Sequence, residues 1–193
     1  NTLATTQLAG DRLMDHPDAA VRRSADTIAR SLERAVEMCR TTLRLGRAAP
    51  PAPRRERFLL ADVLGEVAAS LPAAGFVEDA SAGPVSVDAD YDQCYRILLN
   101  LARNAHEAGA GRLRVAGDGV DGAVQLTVGD DGPGLPDDVR AHLFDEAPAK
   151  KPAGGSGLGL AIARELARNH EGELALLETG PAGTTFRVVL PAS

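Results

Sequence analysis

Amide, carboxylate and glycine residues suited to binding a nucleotide are concentrated in the second half of the chain. Asn100 and Asn104 lie four residues apart, which places both side chains on one face of a helix. A first glycine-rich turn, residues 130–134, follows an apolar run, and a second, residues 154–159, leads directly into a helical pattern. Glycine lets the backbone approach phosphate closely, and the free N–H groups of a helix N-terminus attract anions. The three segments together predict a nucleotide site.

Two common nucleotide motifs do not fit this sequence. The P-loop requires a lysine directly after its last glycine, and no glycine turn here is followed by lysine in that way. The dinucleotide fingerprint requires the spacing G-x-G-x-x-G, and Leu160 stands where the third glycine would follow Gly155 and Gly157. The predicted site therefore needs another arrangement.

Composition narrows the class of protein. Hydrophobic residues make up 44% of the 193 residues but aromatic residues only 3%, so the core must be built from aliphatic side chains. The net charge of -6 argues against a nucleic-acid partner. The basic run at residues 54–57 is too short to change this, and we interpret it as part of a solvated linker. Cys39 and Cys94 lack metal-type spacing, and we interpret both as buried thiols in a reducing compartment.

No targeting signal is recognisable in this sequence. No apolar run reaches the roughly 18 residues that a membrane span needs, and no signal peptide is present. The chain begins at Asn1 without a methionine, so we interpret it as a fragment. We therefore expect a cytoplasmic location, with any membrane segment outside this chain.

The pattern of residues 1–47 predicts an antiparallel helical hairpin. Apolar residues in its second helix recur at alternating steps of four and three, which is a heptad seam. Such a seam favours pairing with a second copy, giving a four-helix bundle in a homodimer. The alternative is that the hairpin packs on its own chain. A proline-rich linker over residues 48–57 then separates the hairpin from a domain at residues 58–193.

The domain at residues 58–193 alternates helical and strand patterns, which predicts an α+β chain ending in a two-layer α/β sandwich, one sheet with helices on one face. We predict helices over residues 59–70, 88–108 and from the second glycine turn to about 169. The predicted strands are residues 76–77, 85–87, 112–116, 123–128, 173–177 and 185–190, with a glycine-rich turn at 117–122.

The motifs resemble those of the histidine-kinase ATP-binding domain, whose superfamily includes gyrase, heat-shock chaperone and mismatch-repair ATPases. In order, they are Asn100-x-x-x-Asn104, Asp130-x-Gly132-x-Gly134, Leu143-Phe144 and Gly155-x-Gly157-Leu-Gly159-Leu. They match the family's N box, first glycine box, F box and second glycine box, and the resemblance covers residues 58–193. Residues 1–47 are similar in shape and position to the kinase dimerisation and phosphotransfer hairpin.

The resemblance implies a Mg²⁺–ATP site. Asp130 would accept a hydrogen bond from the adenine amino group, and Asn104 would bind Mg²⁺, with Asn100 one turn earlier in the same metal and catalytic set. The alternatives are a turn aspartate and a helix-capping amide. ATP hydrolases of the superfamily carry a glutamate at the position of Asn100 as general base. An amide cannot take up that proton, so the resemblance favours transfer over hydrolysis.

The second half of the implied site lies in and after a lid, residues 135–154. Phe144 would anchor the lid, or belong to the core, and Lys150 would reach the γ-phosphate, or be a solvated loop residue. The remaining nucleotide-binding residues implied are Gly132, Gly134, Gly155, Gly157, Leu158 and Gly159. Asp131 and the pair Thr184-Thr185 are interpreted as structural.

The phospho-acceptor histidine is expected just before Asn1, since Asn1-Thr2-Leu3 resembles the end of the family's acceptor motif. The resemblance thus implies a sensor histidine kinase core that passes phosphate to this histidine and then to an aspartate of a response-regulator receiver domain. Two other functions stay open. One is a phosphotransfer or pseudokinase scaffold that does not use ATP, and the other is a serine kinase of the anti-sigma-factor type.

Overall fold

The computed structural model describes residues 52–72, 75–120, 123–144 and 159–191. The chain divides into two units, Asn1–Pro50 and Pro51–Ser193, and all described residues belong to the second. The predicted hairpin and its homodimer bundle therefore lie outside the described residues.

In chain order the elements are β1 (Glu56–Leu59), α1 (Leu60–Ala69), β2 (Val77–Asp79), β3 (Ser86–Ala89), α2 (Tyr91–Glu107), β4 (Leu113–Val120), β5 (Ala123–Asp130), α3 (Asp137–Ala141), α4 (Gly159–Asn169), β6 (Glu173–Gly180) and β7 (Gly183–Pro191).

Five strands form a mixed sheet in the order β2-β4-β5-β7-β6. β2 runs parallel to β4, and the other neighbours are antiparallel. Alternate residues of β5 and β7 are buried, as expected for strands covered on one face only. The buried residues of these strands pack with the helices in a single hydrophobic core. The α+β class, with a mixed sheet and helices, is thus confirmed.

The helices follow their apolar periodicity. The helix predicted over residues 59–70 is α1, and its predicted apolar face is buried: Leu60, Val63, Leu64 and Val67. The helix predicted from residue 88 begins instead at Tyr91, because Asp88 belongs to β3 and Asp90 is the N-cap. The Asp90 side chain accepts the Gln93 backbone N–H at 3.0 Å, which satisfies one of the free donors of the first turn.

The strand pair β4–β5 is longer than predicted. Its register continues to the Val120–Ala123 pair, so Gly117 and Gly119 belong to the strand and not to a turn. Gly117 has a packing reason for lacking a side chain, since a Cβ there would lie 2.9 Å from the Leu60 side chain. The glycine thus lets α1 approach the sheet closely. β6 and β7 likewise extend beyond their predicted ends.

The segment before β1 differs from the prediction of a solvated linker. β1 begins at Glu56, inside the range assigned to the linker, and pairs with β3 in a separate two-stranded sheet. The Arg54 backbone N–H donates to Asp90 Oδ2 at 2.9 Å. The Arg55 guanidinium donates to the carbonyl oxygens of His170 and Pro191. The basic run is therefore attached to the domain.

Two further predictions concern single residues and membranes. Burial raises the pKa of the Cys94 thiol to about 12, with the Asp90 carboxylate adding to the shift, so the thiol stays protonated. This confirms the buried thiol at Cys94, whereas Cys39 lies outside the described residues. No helix in the described part of the chain is both long and apolar enough to cross a membrane.

Candidate functional site

The side chains of Asn100 and Asn104 lie close to the first residue of α4. A Cβ at Gly159 would lie 3.3 Å from Asn104 Oδ1 and 3.4 Å from Asn100 Oδ1. α2 and α4 pack against each other, so α2 presents both amides to the first residue of α4. Three predicted site residues from two distant motifs are thus adjacent. The spacing at Gly159 leaves no room for a larger residue without a shift of the amides.

The Asn104 side-chain amide does not form all the hydrogen bonds that it could form with the described residues. Its Nδ2 is buried and has no hydrogen-bond partner among the residues described. An unpaired buried donor costs about 1–3 kcal/mol, so such groups in proteins generally need an explanation, and a ligand is one. Rotation of an amide by half a turn exchanges its oxygen and nitrogen, so the side chain can present either a donor or an acceptor to that ligand.

Asp130 ends β5 and has one carboxylate oxygen fixed by the backbone. Oδ1 accepts the N–H of Gly132 at 2.9 Å and the N–H of Thr184 at 3.2 Å. No donor in the described residues contacts Oδ2. The carboxylate is therefore held in one orientation, with the second oxygen available to accept from a ligand.

The first glycine turn is supported by the β6–β7 turn. Gly134 has φ +80° and packs so closely on Gly180 that a Cβ would overlap the Gly180 carbonyl. The Leu135 N–H donates to Thr179 Oγ1 at 2.8 Å, and this hydroxyl lies 3.2 Å from Thr184 Oγ1. Thr184 was interpreted as structural, and its backbone N–H has such a role because it donates to Asp130 and holds that carboxylate in place. The contact joins residues 54 apart, and no local pattern signals it.

Gly183→Ala is expected to destabilise the fold by about 2–4 kcal/mol. Gly183 has φ +131°, which disfavours any side chain, and its Cβ would overlap the Asp130 carbonyl oxygen. The measurement is the free energy of unfolding in urea. The matched control is Gly180→Ala in the same turn, where a Cβ meets nothing within 4 Å. Equal losses in both variants would contradict the steric argument.

Asp131 has a structural position, as predicted. Its Oδ1 accepts the backbone N–H groups of Gly111 at 2.8 Å and Arg112 at 2.9 Å. The side chain is thereby used to close the connection between α2 and β4. Of the two neighbouring aspartates, Asp130 therefore has an oxygen available for a ligand and Asp131 stabilises the turn.

Phe144 is half-buried and stacks with a cation. The Arg164 guanidinium carbon lies 4.5 Å from the centre of the Phe144 ring, a cation–π distance. Arg164, on α4, was not predicted, because no local pattern links it to the lid. The structure thus packs Phe144 partly on the domain. Four predicted site residues lie outside the described residues, and their roles remain predictions: Lys150, Gly155, Gly157 and Leu158.

The residues present fit Mg²⁺. The described part of the chain contains no group of three or more His, Cys, Asp or Glu that could hold a metal. Mg²⁺ does not need one beside a nucleotide, because it takes one or two protein oxygens and completes its shell with phosphate oxygens and water. The Asn104 amide, whose buried nitrogen has no partner in the part of the chain that the structure describes, has the chemistry of such a ligand.

Comparison with known proteins defines the class. Residues 89–193, more than half of the chain, match the family described as histidine kinase-, DNA gyrase B- and HSP90-like ATPase. The chain therefore belongs to this family. The resemblance that the motifs indicated is confirmed. Relatives similar to this chain in sequence are sensor histidine kinases, and proteins similar in structure are histidine-kinase catalytic domains.

Three relatives illustrate the extent of the similarity. The histidine-protein kinase AfsQ2 of Streptomyces coelicolor is 41% identical over 99 residues, which cover 49% of this chain and 18% of AfsQ2. Full-length ShkA, crystallised with AMPPNP, matches with a TM-score of 0.73 and 25% identity over 98% of this chain and 45% of its own. The histidine kinase domain of the E. coli osmosensor EnvZ matches with a TM-score of 0.56 and 30% identity. The match covers 76% of this chain and 93% of the EnvZ domain. The chain spans less than a fifth of AfsQ2.

Proposed function

We propose that this chain is the catalytic core of a two-component sensor histidine kinase. It binds Mg²⁺–ATP and transfers the γ-phosphate to a histidine of the kinase, from which an aspartate of a response regulator receives it. The single observation that carries the proposal is the Asn104 amide beside Asn100 and the start of α4, because its buried nitrogen has no partner among the described residues. The AMPPNP complex of ShkA, similar in fold, supports a nucleotide as the ligand.

Asp130 selects the base in this proposal. A carboxylate only accepts hydrogen bonds, so its Oδ2 suits the amino group of adenine. Guanine presents a carbonyl oxygen at the same position, and two acceptors would face each other. The two backbone N–H groups on Oδ1 keep the carboxylate in place without help from the ligand.

The phosphates are received between α2 and α4. The free backbone N–H groups at the start of α4 and the partial positive charge of its N-terminus attract anionic oxygen. The Asn104 amide contributes a hard oxygen ligand or an N–H donor. Mg²⁺, when bound, would neutralise charge on the phosphates.

Asn100 favours transfer over hydrolysis. A water molecule needs a base to remove its proton as it attacks phosphorus, and an amide is not a base near neutral pH. Phosphoryl transfer asks mainly for positioning and charge neutralisation, to which the two amides and the helix terminus contribute. The incoming nucleophile is then the acceptor histidine. Lys150 is proposed to approach the γ-phosphate from the lid.

The partners follow from the same proposal. Residues 1–47 form the homodimer, with the acceptor histidine in the helical segment before Asn1, and a receiver domain accepts the phosphate. The unit functions in the cytoplasm, with membrane attachment only through segments outside this chain. None of these steps involves nucleic acid.

Calorimetric titration with ATP, with and without Mg²⁺, followed by a transfer assay, tests the proposal. We expect Mg²⁺-dependent binding by the chain, and acid-labile, base-stable label from γ-labelled ATP on the natural kinase that includes the preceding helix. Release of free phosphate without protein label would identify a hydrolase. Absence of binding at millimolar nucleotide would favour the phosphotransfer scaffold.

A further inference from the structure

α2 and α4 are joined at both ends. At one end, Gly159 faces the side chains of Asn100 and Asn104. At the other, the backbone N–H of Asp90, the N-cap of α2, donates to Nε2 of His170 at 3.1 Å, directly after α4. The two helices are therefore antiparallel. Since rigid helices transmit axial displacement, the position of the first turn of α4 depends on the contact at its last.

His170 makes this end contact through both ring nitrogens. The side chain is completely buried, and Nδ1 lies 2.9 Å from the Leu166 carbonyl oxygen. Because Nε2 accepts from a backbone N–H, it carries no proton, and Nδ1–H must donate to Leu166. One imidazole ring thus connects the last turn of α4 to the first turn of α2. A second bridge, Asn169 Nδ2 to Gln93 Oε1 at 3.0 Å, lies beside it.

Arg55 attaches the segment before β1 to the same place. Its guanidinium donates to the carbonyl oxygens of His170 at 3.1 Å and Asp88 at 3.4 Å, and also to that of Pro191. The neighbouring Arg54 N–H donates to Asp90 Oδ2. A cation is favourable at the C-terminal end of α4, where carbonyl oxygens lack helical partners. The segment directly before β1 is therefore bonded to the contact that positions α4 against α2.

We infer that Arg55, Asp90 and His170 form a junction that positions α4 along α2 and so couples the segment before β1 to the Asn100–Asn104 site. Asn104 lies about 20 Å along α2 from Asp90, and α4 spans about 16 Å. A displacement at the junction reaches Gly159 through these helices, and the narrow space between Gly159 and the amides makes the site sensitive to it. These are positioning residues. The inference rests on the proposed Mg²⁺–ATP function of the site.

Removal of the Arg55 guanidinium is expected to weaken Mg²⁺–ATP binding although Arg55 is not part of the proposed nucleotide site. Couplings between distant sites are typically about 5- to 150-fold, and we expect about 5- to 50-fold for Arg55→Gln in calorimetry. The matched control is Arg57→Gln, the same charge change on an exposed residue of β1. Arg55→Lys keeps the charge without the forked donors and is expected to recover only part of the affinity.

A second readout needs no nucleotide. In ¹⁵N-labelled protein, the side-chain amide signals of Asn104, assigned with Asn104→Ala, are expected to shift in Arg55→Gln and not in Arg57→Gln. His170→Gln, which retains a donor and an acceptor, is expected to perturb them less than His170→Ala. A local structural role would leave these signals unchanged at such a distance.

Nucleotide affinity and the Asn104 amide signals together distinguish failure of the proposed function from failure of the junction inference. If wild-type protein binds no nucleotide, the proposed function fails, and the amide signals still decide whether the junction positions the site. If Arg55→Gln binds Mg²⁺–ATP within about twofold of wild type and leaves the Asn104 signals in place, the inference is overturned. Should His170→Ala fail to fold, Arg55→Gln carries the decision alone, because the Arg55 side chain is not in the hydrophobic core.

Discussion

Asp130→Asn is expected to weaken ATP binding roughly a hundredfold with little effect on the fold. The new amide oxygen can still accept the N–H groups of Gly132 and Thr184, which now reach Oδ1. The amide nitrogen then takes the place of Oδ2 and meets the adenine amino group donor to donor. Loss of a hydrogen bond to a charged group costs about 1.5–3 kcal/mol, and the upper part of this range corresponds to a hundredfold.

Calorimetry with ATP and GTP measures this effect. The substitution presents a donor to the guanine carbonyl, so the preference for ATP over GTP should decrease as well as the affinity for ATP. Asp131→Asn is the matched control: its oxygen can still accept from Gly111 and Arg112, and it should bind ATP as wild type does. Equal ATP affinity in Asp130→Asn and wild type would place the adenine elsewhere.

Local patterns were sufficient to predict α1, α2 and α4, although they missed the start of α2 and the short helix α3. The burial of α1 and α2 follows their 3.6-residue periodicity, and the spacing of Asn100 and Asn104 alone puts them on one face. The ends of β4 and β5 were predicted wrongly because glycine was taken as a turn signal. In the sheet, Gly117 instead makes room for Leu60, which is a tertiary requirement.

Contacts between distant segments could not be predicted in this way. The bond from Thr184 to Asp130 joins residues 54 apart, and the bond from Arg55 to His170 joins residues 115 apart. Arg55 was interpreted as solvated because a charged residue in a proline-rich stretch usually is. The carbonyl oxygens that bind the guanidinium come together only in the folded domain, because Asp88 lies in β3, His170 follows α4 and Pro191 ends β7. The convergence of both amides on Gly159 likewise requires helix packing.

Asn104→Ala is expected to separate stability from function. Deleting the amide removes a buried donor that has no partner among the described residues, which relieves about 1–3 kcal/mol, partly offset by the small cavity left behind. The nucleotide-free protein should therefore unfold at the same or a higher temperature than wild type. Phosphoryl transfer and Mg²⁺-dependent nucleotide affinity should each fall by about a hundredfold, as expected when a charge-stabilising ligand is lost. Such opposite signs are typical of residues retained for function.

Thermal unfolding with and without Mg²⁺–ATP measures both effects in one experiment. For wild type we expect Mg²⁺–ATP to raise Tm, and for Asn104→Ala this rise should largely disappear while the nucleotide-free Tm does not drop. Glu107→Ala, an exposed position one turn further along α2, should retain the wild-type rise. If Asn104 instead only caps the end of the helix, the signs reverse: the nucleotide-free protein loses stability and the Mg²⁺–ATP shift persists. The sign of the nucleotide-free change thus decides whether the unpaired amide is kept for a ligand, because a purely structural group would not be left unpaired at that cost.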